Sequence, residues 1–201
     1  MSKNFDYSSN EVSKELEYAL KEAVKIGEGH NGVVFLFKDG KTIKFFRRPR
    51  SWKDESYILK KVNGSKFFPK VYEVGNNYII RDYVPGVRLD KYLRRNKVDE
   101  DLARELYKMV IEFERLKFKR LDIRCKDIFY NLETKKVMII DPKKNYSRKL
   151  SYPRHLMKGL KGINVLNQFL FYVESFDEKT ALEWEKKINQ YYYKENSREI
   201  I

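Results

Sequence analysis

The run Gly27-Glu28-Gly29-His30-Asn31-Gly32-Val33-Val34 constrains the fold of this chain more than any other stretch. Its spacing is G-x-G-x-x-G-x-V, and a strand-forming run follows it. Residues 33–37 and 42–46 are rich in β-branched and aromatic side chains, and they flank Asp39-Gly40, a dipeptide suited to a tight hairpin. A glycine turn that opens onto a strand argues against a dinucleotide-binding unit, where the glycines join a strand to a helix. Glycines at this spacing let backbone N–H groups approach an anion with no Cβ in the way. An ordinary glycine-rich turn has the same composition, so the rest of the chain must decide its meaning.

Upstream, residues 12–23 read as a short amphipathic helix, with Leu16, Ala19, Leu20 and Ala23 at helical spacing. Downstream, Ser51 is placed to cap a helix over residues 52–62, and two more strands are expected at 70–74 and 78–84 around the turn Gly75-Asn76-Asn77. Pro85-Gly86 breaks the chain, and the pattern then turns helical. Residues 89–94 give one or two helical turns. Residues 99–118 give the strongest helix, its apolar stripe made by Leu102, Leu106, Met109, Val110, Phe113 and Leu116. Residues 121–131 read as irregular and 137–140 as a short buried strand. Helices follow at 156–160, 164–174 and 178–194. The fold class is α+β, with a β-rich domain over 1–84 and a mostly helical domain over 85–201.

Lys44 lies on the strand after the hairpin, between Ile43 and Phe45. Such a lysine is ordinarily the solvent-facing half of a strand alternation. Glu55, however, shares its helix side with Trp52, Ile58 and Leu59, and a carboxylate on an apolar face calls for a partner. A Lys44–Glu55 pair accounts for both. Further on stands Arg120-Leu121-Asp122-Ile123-Arg124-Cys125-Lys126-Asp127-Ile128, then Val137-Met138-Ile139-Ile140-Asp141-Pro142. Taken singly, Asp122 and Asp127 are loop carboxylates and Asp141 ends a strand.

In this order, with these elements between them, the motifs over residues 26–144 resemble the protein-kinase-like fold. Its signature is a glycine-rich loop, a strand lysine, a helix glutamate, H-R-D-L-x-x-x-N and D-F-G. The short N-lobe is similar to small atypical bacterial kinases of the RIO-like and tRNA-modification-associated types. The stretch from Ile140 and the terminal helices resemble small predicted serine/threonine kinases of spore-forming bacteria. The resemblance implies a two-lobed minimal fold and transfer of the γ-phosphate of Mg-ATP to a hydroxyl acceptor. Gly27, Gly29, Gly32, Val34 and Lys44 would then face the nucleotide, with Glu55 fixing Lys44 and the linker Asp82 to Val84 meeting the adenine edge. Asp122 would serve as the catalytic base, and Asp127 and Asp141 would hold Mg²⁺.

The departures are specific. Arg120 and Leu121 replace the histidine and arginine before the base, and Asp127 replaces asparagine while remaining a hard-cation ligand. Asp141-Pro142-Lys143 lacks the Phe and Gly of D-F-G. No A-P-E follows, and only ten residues separate Pro142 from Pro153, four of them basic (Lys143, Lys144, Arg148, Lys149). So short a segment leaves little room for a phosphorylation switch at Ser147 or Ser151. The altered loop keeps open a pseudokinase or nucleotide-sensing module. The acceptor is a protein or a small molecule with a hydroxyl, although the insertions of aminoglycoside-type enzymes are missing.

Charge supplies another alternative. With 43 Lys plus Arg against 29 Asp plus Glu, the formal net charge is +14, a field that favours polyanions. Arg115, Lys117, Lys119, Arg120, Arg124 and Lys126 cluster beside the expected catalytic loop. They form a basic rim that would suit ATP, an acidic protein or RNA, although no nucleic-acid-binding motif accompanies them. The single cysteine, Cys125, excludes an internal disulfide, and no apolar run approaches the roughly 20 residues of a membrane span. With no apolar leader at residues 1–18, a cytoplasmic protein with no membrane association is expected. His30 and His155 are too few and too far apart in sequence for a metal site. Trp184 and Tyr191, Tyr192 and Tyr193 read as core and rim of the last helix.

Overall fold

A computed structural model describes residues 12–197, which form two compact units meeting in sequence at Val84 and Pro85. The leader reading of the N-terminus falls largely outside the described residues. The first unit opens with helix α1 (Lys14–Lys21), capped where the Ser13 hydroxyl accepts from the Leu16 amide at 3.2 Å. An antiparallel sheet follows, with strands β1 (Val24–Gly29), β2 (Gly32–Leu36), β3 (Lys41–Phe46), β4 (Val71–Gly75) and β5 (Tyr78–Asp82) in the order β1-β2-β3-β5-β4. Helix α2 (Pro49–Val62) lies between β3 and β4 in sequence.

Central β3 is buried on both faces. Ile43 and Phe45 pack in one apolar cluster with Leu16 and Leu20 of α1 and with Tyr78 and Ile80 of β5. The two-residue period puts Thr42, Lys44 and Phe46 on the other face. Lys44 is therefore 4% exposed, and the ordinary solvent-facing alternation does not apply. At Gly32 β2 passes close to β3, since a Cβ there would lie 1.9 Å from the Phe45 carbonyl oxygen.

Three boundaries differ from expectation for local reasons. Helix α2 starts at Pro49, not after Ser51, because proline suits the first turn, where its missing N–H is not needed. Strand β1 also escapes notice in the sequence, because its two glycines mask the pattern. Gly75 belongs to β4 rather than to the turn.

In the second unit, strands β6 (Val87–Arg88), β7 (Ile128–Asn131) and β8 (Lys136–Ile139) form a small antiparallel sheet. Residues 128–131 are thus a strand, not irregular. The β7–β8 turn is held by the Asn131 side-chain oxygen, which accepts from the amides of Glu133 (2.9 Å) and Thr134 (3.1 Å). Helix α3 (Leu89–Tyr92) is a single turn. Helix α4 (Glu100–Arg115) is capped by Asp99 and buries Leu102, Leu106, Met109, Val110 and Phe113. It stops short of Phe118 because Lys117 adopts φ 56°, the left-handed conformation that ends helices. Helices α5 (Arg154–Gly162), α6 (Leu166–Phe176) and α7 (Glu178–Asn196) complete the unit. Trp184 of α7 stacks on Phe169 of α6 at 6.2 Å between ring centroids and belongs to the core, while Tyr193 is exposed. No helix among the described residues is long and apolar enough to cross a membrane.

Candidate functional site

The candidate residues fall into two groups, one in each unit. In the first, the Lys44 ammonium donates to both oxygens of Glu55, at 2.9 and 2.7 Å, and the two side chains are 5% and 4% exposed. Strand β3 aims Lys44 across the sheet face, and the apolar side of α2 (Ile58, Leu59, Val62) docks there and carries Glu55 with it. Arg81 of β5, only 5% exposed, brings its guanidinium to 3.9 Å from Glu55. Sequence reasoning missed Arg81; the available signal was an arginine sharing a strand face with Ile79. The Lys44 ammonium also sits 4.7 Å from the centroid of the Phe46 ring.

The glycine motif forms the β1–β2 hairpin, with Gly27 paired to Val34 and Gly29 to Gly32. A Cβ on Gly29 would meet nothing within 4 Å, and one on Gly27 would make only ordinary contact with Val34. The fold therefore requires glycine at Gly32 but not at Gly27 or Gly29. Asp82 closes the sheet instead of standing clear: its carboxylate accepts from the Lys70 amide at 3.1 Å and the Tyr72 hydroxyl at 2.8 Å. Its own amide donates to the Lys70 carbonyl, and that of Tyr83 donates to Gly40. Of the linker residues, Val84 is the one whose amide these contacts do not occupy.

In the second unit, the segment from Arg120 to Asp127 is fixed from both sides. The Leu121 amide donates to the Leu150 carbonyl at 2.8 Å and the Arg120 amide to the Asn145 carbonyl at 3.0 Å. The Ile140 amide donates to the Asp127 carbonyl at 3.1 Å, which ties the end of β8 to the loop next to Asp141. As a result Asp122, Asp127 and Asp141 line one cavity of about 170 Å³, together with Arg120, Ile123, Arg124, Lys143 and His155. Arg124 grips Asp127 through two bonds at 2.5 and 2.8 Å. The Asp122 side chain has no exposed surface; one oxygen accepts from the His155 amide at 2.7 Å, and the other meets the His155 ring Nδ1 and the Arg120 guanidinium. His155, set aside on sequence distance, is thus a direct partner of Asp122. No local pattern could reveal a contact across 33 positions.

Among the described residues, no cluster of three or more His, Cys, Asp or Glu side chains forms a self-sufficient metal site. Asp127 and Asp141 on one cavity are nonetheless a hard-oxygen pair. They fit Mg²⁺, which binds through one or two carboxylates when phosphates supply the remaining ligands. Cys125 is buried, its thiol donates to the Leu156 carbonyl at 3.6 Å, and burial pushes its pKa up to about 12, so it is no nucleophile. The named basic residues do not all point outward: Arg124 pairs with Asp127 and, with Arg120, lines the cavity, whereas Arg115 is exposed and pairs with Glu112 on the surface. A groove of about 440 Å³ between α1 and the sheet, lined by Leu16, Phe37, Tyr72 and Ile80 among others, gathers none of the candidate residues.

No family model matches the sequence. Over 141 residues the chain is 23% identical to the protein named "Putative serine/threonine-protein kinase YrzF" of Bacillus subtilis (strain 168), covering 67% of this chain and 65% of that one. Among solved structures it is similar to the Cydia pomonella granulovirus kinase PK-1, with a TM-score of 0.49 at 17% identity, over 63% of this chain and 53% of the viral one. The chain thus spans less than two thirds of the length of either protein. An antiparallel five-stranded sheet with the lysine on β3 and its glutamate on the following helix, succeeded by a helical unit, is a small protein-kinase-like fold.

Proposed function

We propose that this chain is an ATP-dependent phosphotransferase, acting as a small serine/threonine protein kinase on a hydroxyl acceptor. The observation that carries the reading is the buried Lys44–Glu55 pair on β3 and α2, directly after the glycine hairpin. A protein interior does not hold an ammonium and a carboxylate without strong compensation. A fold that keeps both beside a hairpin with two sterically unneeded glycines is built to present a fixed cation to phosphate. The likeness to the Bacillus subtilis protein supports the same reading.

In this account, Gly27, Gly29 and Gly32 admit phosphate oxygens to the hairpin backbone beside Val34, and Lys44, oriented by Glu55, neutralises them. Val84 offers its amide to the adenine edge, a better candidate than Asp82, whose polar groups are already engaged. Asp127 and Asp141 hold Mg²⁺, which when bound neutralises charge on the phosphates. The proton of the acceptor hydroxyl is taken up at the cavity that Asp122 lines. Transfer then depends on positioning and charge neutralisation, as in phosphoryl transfer generally.

A second reading, nucleotide sensing without turnover, is favoured by one contact, the two-bond grip of Arg124 on Asp127. Thermal-shift titration with ATP, in the presence and absence of Mg²⁺, tests the binding half of the proposal. A metal-dependent rise in melting temperature that disappears in Asp141→Ala supports it. No response to nucleotide in the folded chain refutes both readings.

A further inference from the structure

The cavity that gathers the acidic residues leaves Asp122 in a poor position to meet an acceptor by itself. Its side chain has no exposed surface, and both its oxygens are occupied, one by the His155 amide and one by the His155 ring and Arg120. The His155 side chain, in contrast, is 37% exposed and lines the same cavity as Arg120, Arg124, Asp127, Asp141 and Lys143. A carboxylate can only accept, so the ring nitrogen facing it, Nδ1, carries the proton in the neutral imidazole. Nε2 is then the basic nitrogen. The arrangement is built into the fold: Gly159 lets α5 approach the loop so closely that a Cβ would lie 2.5 Å from the Cys125 sulfur, and the Cys125 thiol donates to Leu156 on the same helix.

We propose that the proton acceptor is the Asp122–His155 dyad, with His155 the catalytic residue that meets the acceptor hydroxyl and Asp122 a positioning residue behind it. The proposal rests on the phosphotransfer reading above and refines its base. The acceptor O–H proton passes to His155 Nε2 while the acceptor oxygen bonds to the γ-phosphorus. The bond from that phosphorus to the β,γ-bridging oxygen breaks, and its electron pair leaves on ADP. The resulting imidazolium is stabilised by the Asp122 carboxylate through Nδ1–H. Arg120, Arg124 and Lys143, on the same cavity, complement the charge of a phosphoryl group.

The experiment combines kinetics with a spectroscopic readout on the full chain. The His155→Ala and His155→Gln variants should lose on the order of 10²- to 10⁴-fold in transfer at saturating ATP, the usual contribution of a general base. Their Mg-ATP affinity should stay at the parent value, and added imidazole should restore part of the rate to His155→Ala. Nitrogen NMR of the imidazole in the nucleotide-free parent should show protonated Nδ1, with the signal changed in Asp122→Asn. Transfer at the parent rate by His155→Ala overturns the base assignment alone, as does an Nδ1 found unprotonated in the neutral ring. A parent chain that shows the Nδ1–H pair yet transfers nothing overturns the phosphotransfer reading, and the base with it, while the dyad stands as a structural pair.

Discussion

Replacing Lys44 with Met should destabilise the fold as well as the proposed nucleotide site, and the size of the effect follows from the burial of the pair. Lys44 and Glu55 are joined at 2.7 Å with side chains 5% and 4% exposed. Removing one partner of so buried a pair leaves an uncompensated charge, a loss of about 3–5 kcal/mol. Arg81, at 3.9 Å from Glu55, offers the orphaned carboxylate some compensation and places the expectation at the lower end, about 3 kcal/mol. For a chain of this size each kcal/mol lowers the melting temperature by about 2–4 °C, so Lys44→Met should melt about 6–12 °C below the parent. Differential scanning calorimetry with urea unfolding measures this directly. Nucleotide affinity must then be compared well below the lower transition, so that lost binding is not lost folding. A Lys44→Met chain as stable as the parent would refute the claim that this pair is buried and mutually dependent.

The hairpin glycines give a contrast: Gly32→Ala must move the Phe45 carbonyl and should cost on the order of 3 kcal/mol, while Gly29→Ala, with open space around its Cβ, should leave stability within about 0.5 kcal/mol and weaken only nucleotide binding. Urea unfolding and nucleotide titration of the two variants separate the roles. Asp141→Ala should weaken metal-dependent ATP binding, whereas Asp122→Asn should abolish transfer and spare that binding; equal effects on affinity, read by calorimetric titration, would contradict the assigned roles. Burial raises the Cys125 thiol from its ordinary value near 9 to about 12, so iodoacetamide at pH 8 should leave native Cys125 unmodified and label it in urea. The unfolded chain releases that proton first, so this thiol's contribution to stability is whole below about pH 9 and declines as pH rises towards 12.

Apart from β1, the five-stranded sheet was legible because its signals are local. The hairpin dipeptide Asp39-Gly40, the β-branched runs beside it and a glutamate on an apolar helix face each act within a few residues, and together they located the Lys44–Glu55 pair. Strand β7 was missed because its pairing with β8 is set by an Asn131 turn that composition does not announce. The start of α2 shifted because proline at a first turn outweighed a serine cap. Asp122, Asp127 and Asp141 were singled out by the resemblance, and one cavity gathers them. What engages them was not legible: His155 approaches Asp122 only because α5 packs on the loop, and Arg81 approaches Glu55 only through the pairing of β3 with β5.

The central claim is that this chain moves the γ-phosphate of ATP, and incubation with γ-labelled ATP and Mg²⁺ tests it most directly. The purified chain, alone and with a generic basic protein acceptor, is followed for label on protein over time. The account predicts Mg²⁺-dependent labelling that disappears in Asp141→Ala and in Asp122→Asn. A folded chain that binds Mg-ATP but transfers no label to itself or to the acceptor would contradict it.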